Sequence, residues 1–199
     1  MATSTIDIGT LLPATLTAPG LSEREFLDLC QQFPDARLEY EADGTVLIMP
    51  PTDPDSGMRL AAIIYQLKAW SLRVGKGNVV GCDAGFFLPG GSRRSPDAAW
   101  FDANRWNAAK VRGLSFPTFA PDFVIELRSP HDRLPALTRK MQEYIDNGVK
   151  LGWMIDPQRR TVSIYRPGQA PVILANPTEV AGEGPVEGFV LPLAEIFQP

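Results

Sequence analysis

Residues 121–130 read PDFVIELRSP, and the fold turns on how they are read. Strands alternate with a period of two, so Phe123, Ile125 and Leu127 share one face. Asp122, Val124, Glu126 and Arg128 share the other. Both faces are apolar up to Glu126, which predicts a central, largely buried strand. A carboxylate at the end of such a strand is costly unless it is paired or holds a metal.

On the C-terminal side, RLPALTRKMQEYIDNG (133–148) predicts a helix with Gly148 as its C-terminal cap. KLGWMIDP (150–157) and RTVSIYRP (160–167) predict a hairpin around Pro157-Gln158, followed by one or two short strands and a final turn. On the N-terminal side, NVVGCD (78–83), GFFLP (85–89) and DAAWF (97–101) predict short strands, the last two split by the turn PGGSRRS (89–95). DANRWNAAKVRG (102–113) suits a short helix. MRLAAIIYQLKAWSLRV (58–74) places Leu60, Ile63, Ile64, Leu67 and Val74 on one helical face, after a loop PPTDPDSG that ends at Gly57. RLEYEADGTVLIMP (37–50) predicts a hairpin turning at Asp43-Gly44. Ser22 and Glu25 fit a capping box that opens a helix from Ser22 to Phe33.

No regular βαβ alternation emerges, so the fold class expected is α/β of the α+β type, a mixed sheet flanked by helices. Residues 1–20, with Pro13 and Pro19, are expected to form a flexible arm, and residues 21–199 a single domain.

Composition narrows the function. With 44% hydrophobic and 21% charged residues the chain is neither disordered nor fibrous. A net charge of −4 argues against coating nucleic acid through an overall positive field, but leaves room for a local basic patch. Cys30 and Cys82 form no CxxC pair and there is one histidine, which excludes a zinc site of the usual kind. The N-terminal stretch has no basic start and no sustained apolar run, so we expect no signal peptide, no membrane span and a cytoplasmic setting.

Three residues carry candidate chemistry. Asp97 opens a strand just after a turn bearing Arg93 and Arg94. With Glu126 on a neighbouring strand end, it would make a pair that converges on one divalent cation. Lys140 lies on the apolar stripe of its helix, with Leu137 and Tyr144, so it either snorkels out or points at an anion. Each has a plainer reading. Pro-Asp dipeptides open turns elsewhere, at Pro34, Pro54 and Pro121, and Glu126 would equally serve as a salt-bridge partner of Arg128 or Arg94. Asp122 reads as a strand-start residue, and His131, in the loop past Glu126, as either a general base or a surface residue.

The ordered run SPDAAWF (95–101), PDFVIELRSPHDR (121–133) and KMQEYIDNGVKLGWMIDPQRRTVSIYRPG (140–168), together with RLEYEADGTVLIMPPT (37–52), resembles the Uma-two family. That family is assigned to the PD-(D/E)XK restriction-endonuclease-like superfamily, and the resemblance covers roughly residues 20–195. It implies metal ligation by Asp97, Glu126 and the Leu127 carbonyl, with Mg2+ or Mn2+ as cofactor. The superfamily lysine would stand at position 128, where this chain has arginine, and arginine cannot act as a base at neutral pH. The resemblance moves that role to Lys140 and gives Glu39 an accessory one.

Two main functions follow. One is a metal-dependent endonuclease, acting on DNA by family analogy, with Asp97, Glu126 and Lys140 catalytic and Arg94 and Arg128 on the nucleic-acid backbone. Arg93, Arg133 and Arg139 are close enough in sequence to assist. The other is an inactive nuclease-like module that binds nucleic acid or protein. A glycosidase using Asp97 and Glu126 as acid and base is the third, weakened by the lack of sugar-stacking aromatics nearby. The resemblance also implies a homodimer, and an unknown targeting partner is expected because no separate DNA-reading module is visible.

Overall fold

The computed structural model describes residues 14–17, 21–34, 36–49, 51–111 and 117–198. In chain order the elements are β1 (Ala14–Thr17), α1 (Glu23–Gln32), β2 (Arg37–Tyr40), β3 (Thr45–Met49) and α2 (Pro54–Val74). There follow β4 (Asn78–Gly81), β5 (Phe86–Phe87), β6 (Arg93–Arg94), β7 (Ala98–Phe101), α3 (Ala103–Val111), β8 (Phe123–Leu127) and α4 (Leu134–Asp146). The chain closes with β9 (Leu151–Asp156), β10 (Thr161–Tyr165), β11 (Val172–Ala175), β12 (Glu179–Ala181), β13 (Val190–Pro192) and α5 (Ala194–Phe197).

The strand at 123–127 is central, as its composition predicts. The main sheet runs β11-β10-β9-β8-β7-β4, and every residue of β8 is buried. Its pairing with β9 is parallel and its pairing with β7 antiparallel, so the sheet is mixed. The parallel pair exists because α4 carries the chain back across one face between β8 and β9. Phe123, Ile125 and Leu127 enter a core with Leu60, Ile63, Leu67 and Trp70 of α2. Val124 enters a second core with Leu137, Met141, Tyr144 and Ile145 of α4. The sheet is therefore flanked by a helix on each side, the fold class expected.

A second sheet, β1-β3-β2-β6-β5, is built on the β2–β3 hairpin. Its turn falls at Asp43-Gly44: Gly44 takes φ 94° and Asp43 Oδ1 accepts from the Thr45 N–H at 2.9 Å. This hairpin carries Glu39 to the end of the main sheet. The capping box of α1 forms as expected, with Ser22 Oγ accepting from the Glu25 N–H and Glu25 Oε2 from the Ser22 N–H.

Several boundaries differ from expectation. Helix α2 starts at Pro54, inside the stretch read as a loop to Gly57, because Asp53 Oδ1 caps the Ser56 N–H and Pro54 occupies the first turn. Val74 is 39% exposed, and Trp70 completes the buried face instead. Strand β6 lies within the PGGSRRS turn. Residues 14–17, in the stretch expected to be an arm, pair with β3, and the rest of that stretch lies outside the described residues. The C-terminal part is richer than expected: β11, β12, β13 and α5 all follow the hairpin, and Phe189 stacks on Trp153 at 5.7 Å beneath the sheet. Asn147 caps α4, and Gly148 follows it at φ 99°. Among the described residues no helix is long and apolar enough to cross a membrane.

Gly152 of β9 leaves room for the buried Met141 side chain of α4, since a Cβ there would meet Met141 Cε at 2.6 Å. Gly152→Val should lower stability by about 1–3 kcal/mol through overpacking. The check is a lower urea midpoint with unchanged slope. An unchanged midpoint would show that the helix does not bear on the strand there.

Candidate active site

Four elements converge at the C-terminal end of β8. The β7–β8 register pairs Ala98 with Ile125, so continuing it by one residue sets Asp97 opposite Glu126, on the same face. Asp97 Oδ2 accepts from the Leu127 N–H at 2.9 Å. From α4, Lys140 Nζ approaches Glu126 Oε1 at 3.0 Å, and the Tyr144 hydroxyl donates to the same oxygen at 2.9 Å. From β2, Glu39 meets Lys140 Nζ at 2.9 Å and accepts from the Ser95 N–H at 3.0 Å. A cavity of about 850 Å3 opens over this cluster, lined by Arg37, Glu39, Asp97, Glu126 and Lys140 among others.

The electrostatics follow from one ammonium lying between two buried carboxylates. Burial pushes Glu39 up, but Lys140 and Arg94 outweigh it and hold its carboxyl below the usual value. Glu126 goes the other way. Burial raises it, Lys140 lowers it, and the neighbouring charges of Asp97 and Glu39 leave it pushed up to about 7. Burial works against the charge of Lys140, yet Glu126, Glu39 and Asp97 raise its pKa above the ordinary lysine value. The lysine therefore stays protonated at neutral pH. Burial, and then the charge of Glu126, put Tyr144 well above its usual value, so it acts as a neutral donor.

Asp97, Glu126, Lys140 and Glu39 come together as the sequence suggests, with the Leu127 backbone beside them. Lys140 points at anions rather than snorkelling out, and it, not Arg128 or Arg94, is the partner of Glu126. The two arginines expected on a nucleic-acid backbone are engaged elsewhere. Arg94 is buried and bonded to Glu39, Glu41 and Glu143, so it braces Glu39 from below. Arg128 turns to Asp156 at 2.7 Å and does not line the cavity. Arg93 lies over the Phe87 ring, whereas Arg133, Arg139 and the exposed His131 line the cavity. Asp122 bridges Arg105, Lys150 and the Asp102 N–H away from the cavity, the plain strand-start role.

Two residues were missed. Arg37 donates to Asp97 Oδ1 at 3.3 Å and to the Ser95 carbonyl at 2.7 Å. It stands two residues before Glu39, on the same strand face, and that period was its signal. Tyr144, read only as part of an apolar stripe, is four residues after Lys140 on the same helix face.

Among the described residues no three Asp, Glu, His or Cys side chains converge as a metal cage. The β7–β8 register sets the Asp97 and Glu126 carboxylates opposite each other on neighbouring strand ends, and these with the Leu127 carbonyl are all oxygen donors, the set a hard divalent cation takes when water completes its shell. Burial first, and then the charges of Asp97 and Glu39, raise Glu126, and a cation beside it would favour its ionised form. The residues present therefore fit a two-carboxylate magnesium-type site.

Because Glu126 has a folded pKa of about 7 against an ordinary value of 4.5, the folded state holds the extra proton between those pH values. The stability this group contributes is lost as pH rises through 7. In metal-free protein, Glu126→Gln should gain stability over the native chain as pH rises from 5 to 8. The ceiling is about 3 kcal/mol, read as several degrees in the difference between melting temperatures. A pH-independent difference would contradict this.

The chain matches the model of the Uma2 family, described as "Putative restriction endonuclease", over residues 24–194. A solved structure from Anabaena variabilis ATCC 29413, described as "a putative nuclease belonging to DUF820", superposes with a TM-score of 0.76. The match covers 89% of this chain and 98% of that one at 20% identity, which speaks for a shared fold. No curated protein matches. The family match spans every residue of the cluster from Arg37 to Tyr144, and the chain belongs to the Uma2 family.

Proposed function

We propose that this protein is a divalent-metal-dependent nuclease that hydrolyses phosphodiester bonds, with DNA as its substrate. The observation that carries the reading is the Lys140 ammonium 3.0 Å from Glu126, with Asp97 set opposite. The basic group that the superfamily pattern places at position 128 is supplied here from α4.

Asp97, Glu126 and the Leu127 carbonyl would hold Mg2+ or Mn2+. When bound, such an ion lowers the pKa of water and neutralises charge on a phosphate under attack. Lys140, kept charged, stabilises negative charge developing on the phosphate and does not serve as the base. Arg37 fixes the Asp97 carboxylate and Tyr144 fixes Glu126. Arg133 and Arg139, exposed at the cavity, are the groups placed to take flanking phosphates. DNA rather than RNA rests on the family's description as a restriction endonuclease.

An inactive binding module is the second reading. It is favoured by the side chains of Arg37, Lys140 and Tyr144 already engaging the two carboxylates. The glycosidase reading loses its footing, since no Phe, Tyr or Trp is among the described residues lining the cavity.

Purified protein incubated with plasmid and single-stranded DNA plus Mg2+ or Mn2+ should cleave. Asp97→Ala and Glu126→Ala should abolish cleavage, and Lys140→Ala should slow it by about 10²-fold. Arg128→Ala, altering a side chain turned to Asp156, should stay within about threefold of native. Cleavage lost with Arg128 but kept without Lys140 would overturn this assignment, and metal binding without cleavage would favour the inactive module.

A further inference from the structure

Every oxygen of the Asp97 and Glu126 carboxylates already has a partner. Asp97 Oδ2 accepts from the Leu127 N–H at 2.9 Å, and Asp97 Oδ1 from Arg37 Nη2 at 3.3 Å. Glu126 Oε1 takes Lys140 Nζ at 3.0 Å and the Tyr144 hydroxyl at 2.9 Å, and Oε2 lies 3.1 Å from the same Nζ. These partners are not equally fixed. The Leu127 N–H belongs to a buried strand. Lys140 is held a second time, by Glu39 at 2.9 Å. Arg37 has one carboxylate partner among the described residues. Its 3.3 Å contact is longer than the about 2.7–2.9 Å of a good charge-assisted bond.

We infer that Arg37 gives up Asp97 Oδ1 when a divalent ion binds, and that its released guanidinium then takes a phosphate oxygen of the substrate. Ion and nucleic acid thereby bind cooperatively through one side chain. The inference rests on the proposed metal-dependent function. Two cations on one carboxylate oxygen repel each other strongly where bulk water is scarce, so the looser one yields. Arg37 can yield without coming adrift, because Nη2 also donates to the Ser95 carbonyl at 2.7 Å. Nor is the guanidinium satisfied where it lies: its Nε is shielded from water and has no acceptor among the described residues.

The cavity gives the freed group its destination. Arg37 lines it from β2, while Arg133, Arg139 and Lys140 line it from α4 and the start of that helix. A phosphate at the carboxylates is therefore met from two walls. Burial works against the charge of Arg37, but Asp97, then Glu39 and Glu126, hold its pKa above the ordinary arginine value. Arg37 must be moved rather than neutralised, and a permanently charged planar fork suits phosphate oxygens. The coupling is reciprocal: whatever factor the ion adds to nucleic-acid affinity, nucleic acid adds to the affinity for the ion.

The test is Mn2+ binding to the full chain by titration calorimetry, alone and with a phosphorothioate DNA duplex that resists cleavage. For the native chain the duplex should raise Mn2+ affinity about tenfold. Arg37→Met should bind Mn2+ alone severalfold more tightly than native, its competitor being gone. The duplex should then add no more than about threefold, the direct attraction of ion to phosphate. Arg128→Ala removes a positive charge one residue past Leu127 without touching Asp97, and should leave Mn2+ affinity unchanged. Circular dichroism melts confirm that each variant is folded, and Arg37→Gln takes the place of Arg37→Met if that variant is not. Weaker Mn2+ binding by Arg37→Met would overturn the inference, as would coupling equal to that of the native chain or an equal gain in Arg128→Ala. Each of these leaves the nuclease reading standing. No Mn2+ binding by the native chain would overturn the metal-dependent reading itself, and the inference with it.

Discussion

The ammonium of Lys140 is the point on which the structure depends. It sits on the apolar stripe of α4, where an unpaired charge would be intolerable, and finds Glu126 of β8 and Glu39 of β2. The consecutive elements β8 and α4 are thereby tied at one position to β2, far earlier in the chain. Breaking a buried pair by removing one partner typically costs about 3–5 kcal/mol, because the other charge is left uncompensated. Burial, opposed by Lys140 and reinforced by the charges of Asp97 and Glu39, leaves Glu126 with a raised pKa, and a cation at the proposed site would favour its ionised form.

The arginines divide the supporting work. Arg94 is engaged by Glu39, Glu41 and Glu143 and, after Lys140, helps hold the Glu39 carboxyl below its usual value against the opposing effect of burial. Arg37 reaches across to Asp97 and to the Ser95 carbonyl, orienting the strand start that presents the carboxylate. Arg128 joins the end of β8 to Asp156 at the end of β9, fastening the parallel pair. Arg133 and Arg139, by contrast, are exposed and line the cavity.

Much of this was legible in the sequence, for local physical reasons. The alternation in PDFVIELR predicts both faces of β8, and the position of Lys140 on an apolar stripe leaves two choices, snorkelling out or an anion, between which the meeting with Glu126 and Glu39 decides. The Ser22 and Asp43-Gly44 signals are local and form as expected. What escaped depends on partners far along the chain. Nothing near Arg94 announces that Glu143 of α4 will neutralise it. Nothing near Arg128 announces Asp156, because their meeting requires the parallel β8–β9 pairing. Gly57 reads as a breaker, and only the Asp53 cap with Pro54 behind it reveals that the helix already runs through it. The C-terminal strands are short and irregular, so their apolar residues gain meaning only once Phe189 lies against Trp153.

The most direct test of a cation-binding centre is a crystal structure of the protein grown with Mn2+, read by anomalous scattering. One manganese peak within about 2.2 Å of carboxylate oxygens of both Asp97 and Glu126, with Lys140 still beside Glu126, is the predicted result. A peak held by other carboxylates, or none at saturating Mn2+ with the Lys140–Glu126 pair intact, would contradict it.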